Sequence, residues 1–186
     1  SDDEQALRVK ELMNIFAAKL IAHDFGGAGR IRETLLVHCG VPQELIIPIA
    51  YVKASVAPLM TLKPVDADNP RAYFSTDKAR SVSLVCACIK KKKILFPRYE
   101  SCSAALAHFL ALTAEASPTK HGSESYYIGK MPNLPDDAAQ SITYGSLAIW
   151  HLTQSYPNIA EVASLNQNYL MHADNYEDIN PPNQWN

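Results

Sequence analysis

The chain has 186 residues, 47% of them hydrophobic, enough to bury a core as one domain or as two closely packed lobes without disulfide or metal staples. Its 17 Lys and Arg against 19 Asp and Glu leave a formal charge of -2, so there is no protein-wide attraction to nucleic acid and a polyanion must meet a local patch. No apolar stretch reaches the ~18 to 20 residues that cross a bilayer. Cys39, Cys86, Cys88 and Cys102 sit in or beside apolar runs with no secretory signal ahead of them, which predicts a reducing, cytoplasmic setting.

Asp2, Asp3 and Glu4 open a first predicted helix, in which Leu7, Leu12, Ile15, Phe16 and Leu20 recur at helical spacing as far as His23. Gly26, Gly27 and Gly29 break the chain, and Ile31, Leu35, Leu36 and Val37 form a short second helix that Gly40 stops. Residues 42–57 are apolar nearly all round, with Leu45, Ile46, Ile47, Ile49, Val52 and Val56, which predicts a buried helix kinked at Pro48. Pro64 and Pro70, with Asp66, Asp68 and Asn69 between them, predict a loop over 61–74 that separates a helical lobe of residues 1–60 from a second of 75–172.

Ser75 or Thr76 is the expected N-cap of a helix over 78–93, striped by Val82, Val85, Cys86 and Ile89, although Val82 to Leu84 and Ile94 to Phe96 also fit strand. After Pro97 the stripe Cys102, Ala105, Leu106, Phe109 and Leu112 predicts another helix. Residues 117–135 are polar and read as a long surface loop carrying Tyr126 and Tyr127. Asp136 and Asp137 suit the first turn of a helix with Ile142, Ile149, Leu152 and Tyr156 on one face, and Pro157 opens a further helix. Residues 173–186 read as an extended polar arm. The expected fold class is therefore all-α: a compact multi-helix body of one or two lobes with an extended C-terminal arm.

The chemistry-bearing residues form no familiar constellation. There is no C-x-x-C pair and no H-E-x-x-H, and Cys86 and Cys88 would point about 200° apart on a helix, so neither metal nor cofactor is expected. The glycines at 26, 27 and 29 follow a predicted helix and lack a Gly-Lys-Ser/Thr ending, which makes them a turn rather than a phosphate loop. Gly145-Ser146 falls mid-helix, where the glycine is expected to permit close packing. Asp136-Asp137 and Glu177-Asp178 are accounted for by capping and solvation. No acid, base and nucleophile come together, so a non-enzymatic protein is expected; a site around His108, His121 and His151 is the enzymatic alternative.

One basic block stands out, Lys90, Lys91, Lys92 and Lys93. Four successive helical residues sweep about 300°, so all four address one surface only if the helix frays after Lys91. The frayed run, with Lys78, Arg80 and Arg98, would line a groove for phosphates, and Tyr99, Tyr126 and Tyr127 would offer stacking faces for unpaired bases. The alternative is a solvated helix end and ordinary surface tyrosines.

Three fragments resemble a known family: Gly40-Val41-Pro42 opening the predicted buried helix, the basic-then-helical Phe96-Pro97-Arg98-Tyr99 to Leu112, and Lys130-Met131-Pro132 through Leu134-Pro135 to Trp150. Their order resembles the helical coat proteins of flexible filamentous plant RNA viruses. The resemblance implies a mostly helical subunit that hooks its neighbours with terminal arms and holds single-stranded RNA in a groove. The family's paired Arg and Asp are missing where this chain has Ile149, Trp150 and His151, so no functional residue is carried over. Trp185, near the end of the polar arm, is the aromatic anchor expected to dock on a neighbouring subunit or on its own body. The function expected from the sequence is self-assembly and coating of single-stranded RNA, as in a capsid or nucleocapsid, with a protein-interaction module as the alternative.

Overall fold

Ile46–Val52 forms a strand where the sequence predicts the middle of a buried helix, and a four-stranded sheet is built around it. The computed structural model describes residues 1–52, 58–118 and 124–157, with the backbone alone at 116–118 and 124–126. In chain order the elements are α1 (Asp2–Ile15), β1 (Ile21–Asp24), α2 (Gly29–His38), a single 3-10 turn (Gln43–Leu45), β2 (Ile46–Val52), β3 (Met60–Lys63), β4 (Tyr73–Asp77), α3 (Lys78–Lys90), α4 (Tyr99–Leu110), β5 (Leu112–Pro118), β6 (Glu124–Lys130) and α5 (Asp137–Thr153). The sheet runs β1-β2-β4-β3, with β1, β2 and β4 parallel and β3 antiparallel on the β4 edge. β5 and β6 make a separate antiparallel hairpin.

The all-α expectation is thus corrected to a mixed α/β fold. A strand of a parallel sheet is covered on both faces and reads as a continuous apolar run, which periodicity cannot tell from a buried helix. Pro48 does not kink a helix. It lies before the first β2–β4 pair, Ile49↔Phe74, so its missing N–H costs the ladder nothing. The segment 61–74 supplies β3 and the start of β4, so the two predicted lobes share one sheet. The predicted loop at 117–135 contains most of the β5–β6 hairpin. The helix after Pro157 and the arm at 173–186 lie outside the described residues.

Three layers enclose two apolar clusters. On one face of the sheet Ile47 and Ile49 pack with Leu84 and Ala87 of α3 and with Tyr144, Leu147 and Ala148 of α5. On the other, Ile46 packs with Ala6 of α1, Leu36 of α2 and Val41, flanked by Val9, Met13 and Ile21. The buried face of α5 includes Ala139, Thr143, Tyr144, Leu147 and Ala148, while Ile149 and Leu152, which the sequence places on one face with Ile142 and Tyr156, are exposed. Gly145 does not serve close packing either, because nothing lies within 4 Å of where its Cβ would stand.

The junctions place the ends of the elements. α1 stops because Ala17 adopts a left-handed backbone, φ 48°, and the Ala18 N–H turns back to Met13 O at 2.8 Å. The chain then reverses into β1. Asp77, not Ser75 or Thr76, is the N-cap of α3, accepting from the Arg80 N–H at 2.7 Å. Thr76 instead bonds Leu59 O at 2.6 Å and Ser81 Oγ at 2.7 Å, fastening β4 to the chain before β3 and to α3.

A buried carboxylate ties α2 to the sheet. Glu33, with its side chain 8% exposed, receives Arg71 Nε at 2.7 Å and lies 3.2 Å from His23 Nε2. Arg71 also donates to Ile46 O at 3.0 Å and Gln43 O at 3.3 Å. Glu33→Ala would leave Arg71 and His23 facing a vacated site. Breaking a fully buried pair costs about 3–5 kcal/mol, and the partly exposed Arg71 puts this one at the low end. With ~2–4 °C per kcal/mol for a chain of this size, thermal melting should fall by about 6–12 °C. A shift below about 2 °C would show that the three side chains behave as a surface pair.

Candidate functional site

Parallel strands deliver their carboxyl ends to one edge of a sheet, where α/β proteins place their ligands. Here that edge opens into a cavity of about 620 Å³. Asp24 reaches it from the end of β1, Tyr51 from β2, Lys78 from the turn of β4 into α3, and Asp136, Gln140 and Tyr144 from the start of α5. Arg32 of α2 and the first turns of α1 complete the wall.

A relay of side chains holds Asp136. The Tyr51 and Tyr144 rings stack with centroids 5.1 Å apart, and their hydroxyls are hydrogen-bonded. The Tyr51 hydroxyl donates to Gln140 Oε1 at 2.8 Å, and Gln140 Nε2 donates to Asp136 Oδ2 at 2.9 Å. Lys78 Nζ is 3.8 Å from Asp136 Oδ2 and Lys130 Nζ is 3.7 Å from its Oδ1. Lys78 also lies 5.8 Å from the centre of the Tyr51 ring. Burial, with the nearby Asp24 and Asp136 charges, pushes both tyrosine hydroxyls far above the ordinary phenol range, so they stay protonated donors. The two carboxylates therefore act on the same pair of hydroxyls.

Asp24 is oriented locally. Its Oδ1 accepts from the Gly26 N–H at 2.9 Å, while His23 Nδ1 is 2.8 Å from the Asp24 carbonyl oxygen. The glycines at 26, 27 and 29 follow a strand and open a helix, which corrects the expectation that they follow a helix. Their loop fixes where the β1 carboxylate points. The N-cap of α2, Ala28, makes no side-chain capping bond.

The predicted basic groove is divided. Lys78 stands in the acidic cavity, paired with Asp136, and Arg80 in the first turn of α3. Lys90 ends the same helix, about 18 Å from Lys78 at 1.5 Å per residue. There the chain folds back instead of fraying: Lys92 takes a left-handed backbone, φ 57°, and the Lys93 N–H donates to Cys88 O at 2.8 Å. Lys90, Lys91, Lys92 and Lys93 are exposed on this turn, as is Arg98 at the N-cap of α4, and Tyr99 beside it is 68% exposed. Tyr127 is exposed on β6. The side chain of Tyr126 and all of Trp185 and His121 lie outside the described structure.

His108 and His151 do not converge. His108 Nδ1 accepts from the Ala138 N–H at 3.0 Å and so caps the start of α5, while His151 packs on Phe74 at the other end of that helix. About 20 Å of helix separates them. Among the described residues no group of three or more His, Cys, Asp or Glu side chains is arranged to hold a metal ion, and no helix is long and apolar enough to cross a membrane.

No family model, curated protein or solved structure matches the chain. The site rests on its own geometry. The sequence reading missed Asp24 and Asp136, setting the second down to helix capping. The available signal was the short run Leu20-Ile21-Ala22 ending in His23-Asp24 and followed by glycines: a strand, a turn and a helix start, with an acid at the strand's end.

Proposed function

We propose that the protein is an enzyme that hydrolyses phosphate esters, using a divalent cation held between Asp24 and Asp136. The observation that carries this is that two carboxylates, Asp24 at the end of β1 and Asp136 at the N-cap of α5, line one cavity at the carboxyl edge of a parallel sheet. Magnesium keeps several waters and is commonly held by one or two protein carboxylates together with substrate phosphate oxygens, so the missing three-residue cage is no obstacle. Lys78, already 3.8 Å from Asp136, would pass to a phosphate oxygen once the cation takes the carboxylate. The cation would polarise the phosphoryl group and lower the pKa of a bound water for attack.

The test is incubation of the purified chain with single- and double-stranded DNA and RNA in magnesium or manganese, with and without EDTA. Cleavage that requires the metal supports the reading. Intact substrates under every metal condition, together with no manganese binding by calorimetry, would reject it.

The coat-protein reading keeps one observation in its favour: Lys91, Lys92, Lys93, Arg98 and Tyr99 are exposed together at the turn from α3 to α4. On that reading single-stranded RNA lies across this turn and the subunits associate. Charge reversal at Lys91 and Lys92 should then weaken RNA binding and flatten its slope against log salt by about 1.4, at roughly 0.7 per phosphate contact. An unchanged slope removes the turn as the RNA site.

A further inference from the structure

At the end of the molecule away from the carboxylates, α3 and α5 finish side by side. α3 leaves the cavity edge at Lys78 and runs back about 18 Å to Lys90, and α5 leaves the same edge beside Asp136 and runs back about 24 Å to Thr153. Both lie on one face of the sheet, where Leu84 and Ala87 share a cluster with Tyr144, Leu147 and Ala148. Both therefore end at the amino edge of the parallel strands, where His151 packs on Phe74 with ring centroids 4.6 Å apart. Axes of packed helices lie about 8–10 Å apart, so the chain leaving α5 at Pro157 starts on the order of 15 Å from the lysine turn.

That turn and the helix after it form one exposed surface, basic at one end and apolar along the rest. Residues 90–98 hold Lys90, Lys91, Lys92, Lys93 and Arg98 and no carboxylate, and Leu95 among them is 77% exposed. α4 has no Lys or Arg and a single carboxylate, Glu100, yet none of its twelve residues is buried. Ala104, Ala107 and Leu110 stand exposed along it. A helix this apolar is ordinarily covered.

We infer that residues 158–186 of the same chain dock on this surface, with their carboxylates at the lysine turn and their apolar side chains over Leu95 and α4. Charge selects them. Of the segments outside the described residues, 53–57 and 119–123 each hold one lysine and no Asp or Glu, whereas 158–186 hold Glu161, Asp174, Glu177 and Asp178 and no Lys or Arg. The same segment carries Ile159, Val162, Leu165 and Leu170 for the apolar part of the surface. Reach is not limiting, since four or five extended residues at about 3.3 Å each cross the gap. The tether supplies an effective concentration on the order of millimolar, so another molecule's acidic segment or a free polyanion must displace a partner that is always at hand. A turn covered nine-tenths of the time would weaken a competing polyanion about tenfold.

The test keeps the full chain and neutralises the segment with Glu161→Gln, Asp174→Asn, Glu177→Gln and Asp178→Asn together. Its readouts use neither metal nor hydrolysis, so it stands or falls apart from the proposed reaction. In amide NMR spectra the signals of Lys92, Leu95 and Tyr99 should move between parent and variant while those of β1 and β2 stay in place, and salt at about 1 M should move the parent's signals the same way. Single-stranded oligouridylate should bind the variant about tenfold more tightly than the parent. A charge exchange checks the pairing. Lys92→Glu with Arg98→Glu should shift the Leu110 methyl signals toward those of the neutralised variant, and adding Glu177→Lys with Asp178→Lys should bring them back. The inference is overturned if the Lys92, Leu95 and Tyr99 signals coincide in parent and neutralised variant. Tighter oligouridylate binding without those shifts also overturns it, because losing four negative charges alone would do that and the turn would then be a nucleic-acid surface only. Shifts that grow with protein concentration alongside dimers in sedimentation overturn it too, by seating the segment on a second copy.

Discussion

Asp24→Asn is expected to lower metal-dependent cleavage by about 10³-fold, and Asp136→Asn by a similar factor. Each substitution exchanges a charged ligand for a neutral amide. Losing several kcal/mol of charge stabilisation at the cation corresponds to a fall of that order in rate. The fold should survive the first change, because an Asn side-chain oxygen can still accept from the Gly26 N–H that the carboxylate now binds at 2.9 Å. Asp136→Asn keeps an acceptor for Gln140 but releases Lys78 and Lys130. Manganese affinity read by calorimetry should fall with the rate in both variants. A variant that loses cleavage but binds manganese as before would move the cation away from these two residues. A variant that retains cleavage would remove the carboxylate pair from the reaction.

The helices were largely legible because the signals that mark them are local. Gly40, φ 84°, ends α2 as its sequence position predicts, and the 3.6-residue stripe through Cys102, Leu106 and Phe109 became α4. The strands were not legible for opposite reasons. β2 is buried on both faces and so has no alternation to read, and β1 has only four residues. The break between α1 and β1 is made by Ala17 in a conformation usually left to glycine, so no residue type announces it. Once β1 was absorbed into a helix, the glycines after it lost their strand-to-helix context and Asp24 lost its position at a sheet edge.

The candidate site suffered from the same blindness to tertiary pairing. Asp136 reads as a helix start and is one, yet Gln140, itself held by Tyr51, binds its Oδ2 at the cavity, and that relay depends on β2 lying under α5. Lys78 was singled out for its charge, but as part of a basic groove; its partner proved to be a carboxylate. The lysine run is exposed at the end of α3, and its division from Lys78 follows from the length of α3 alone.

Gly29→Ala is expected to be the most damaging alanine substitution among the described glycines. A Cβ at this position would lie 1.7 Å from the Asp24 carbonyl oxygen and 2.8 Å from its carbon, a backbone overlap that no rotamer change relieves. Either β1 or the start of α2 must move, and both are held: β1 by its ladder to β2, α2 by Glu33 through His23 and Arg71. The cost belongs with the exceptional losses above about 4 kcal/mol, and the variant should be largely unfolded or lose upward of about 10 °C in thermal melting. Gly27 gives the contrast. It has φ +52° but open space around its Cβ, so Gly27→Ala should cost only the about 1–2 kcal/mol of a left-handed alanine. Equal losses in the two variants would mean that the loop backbone, rather than the close approach of α2 to β1, decides the geometry. A Gly29→Ala protein that melts within a few degrees of the parent would show that the junction can open, and Asp24 would then have no fixed place in the cavity.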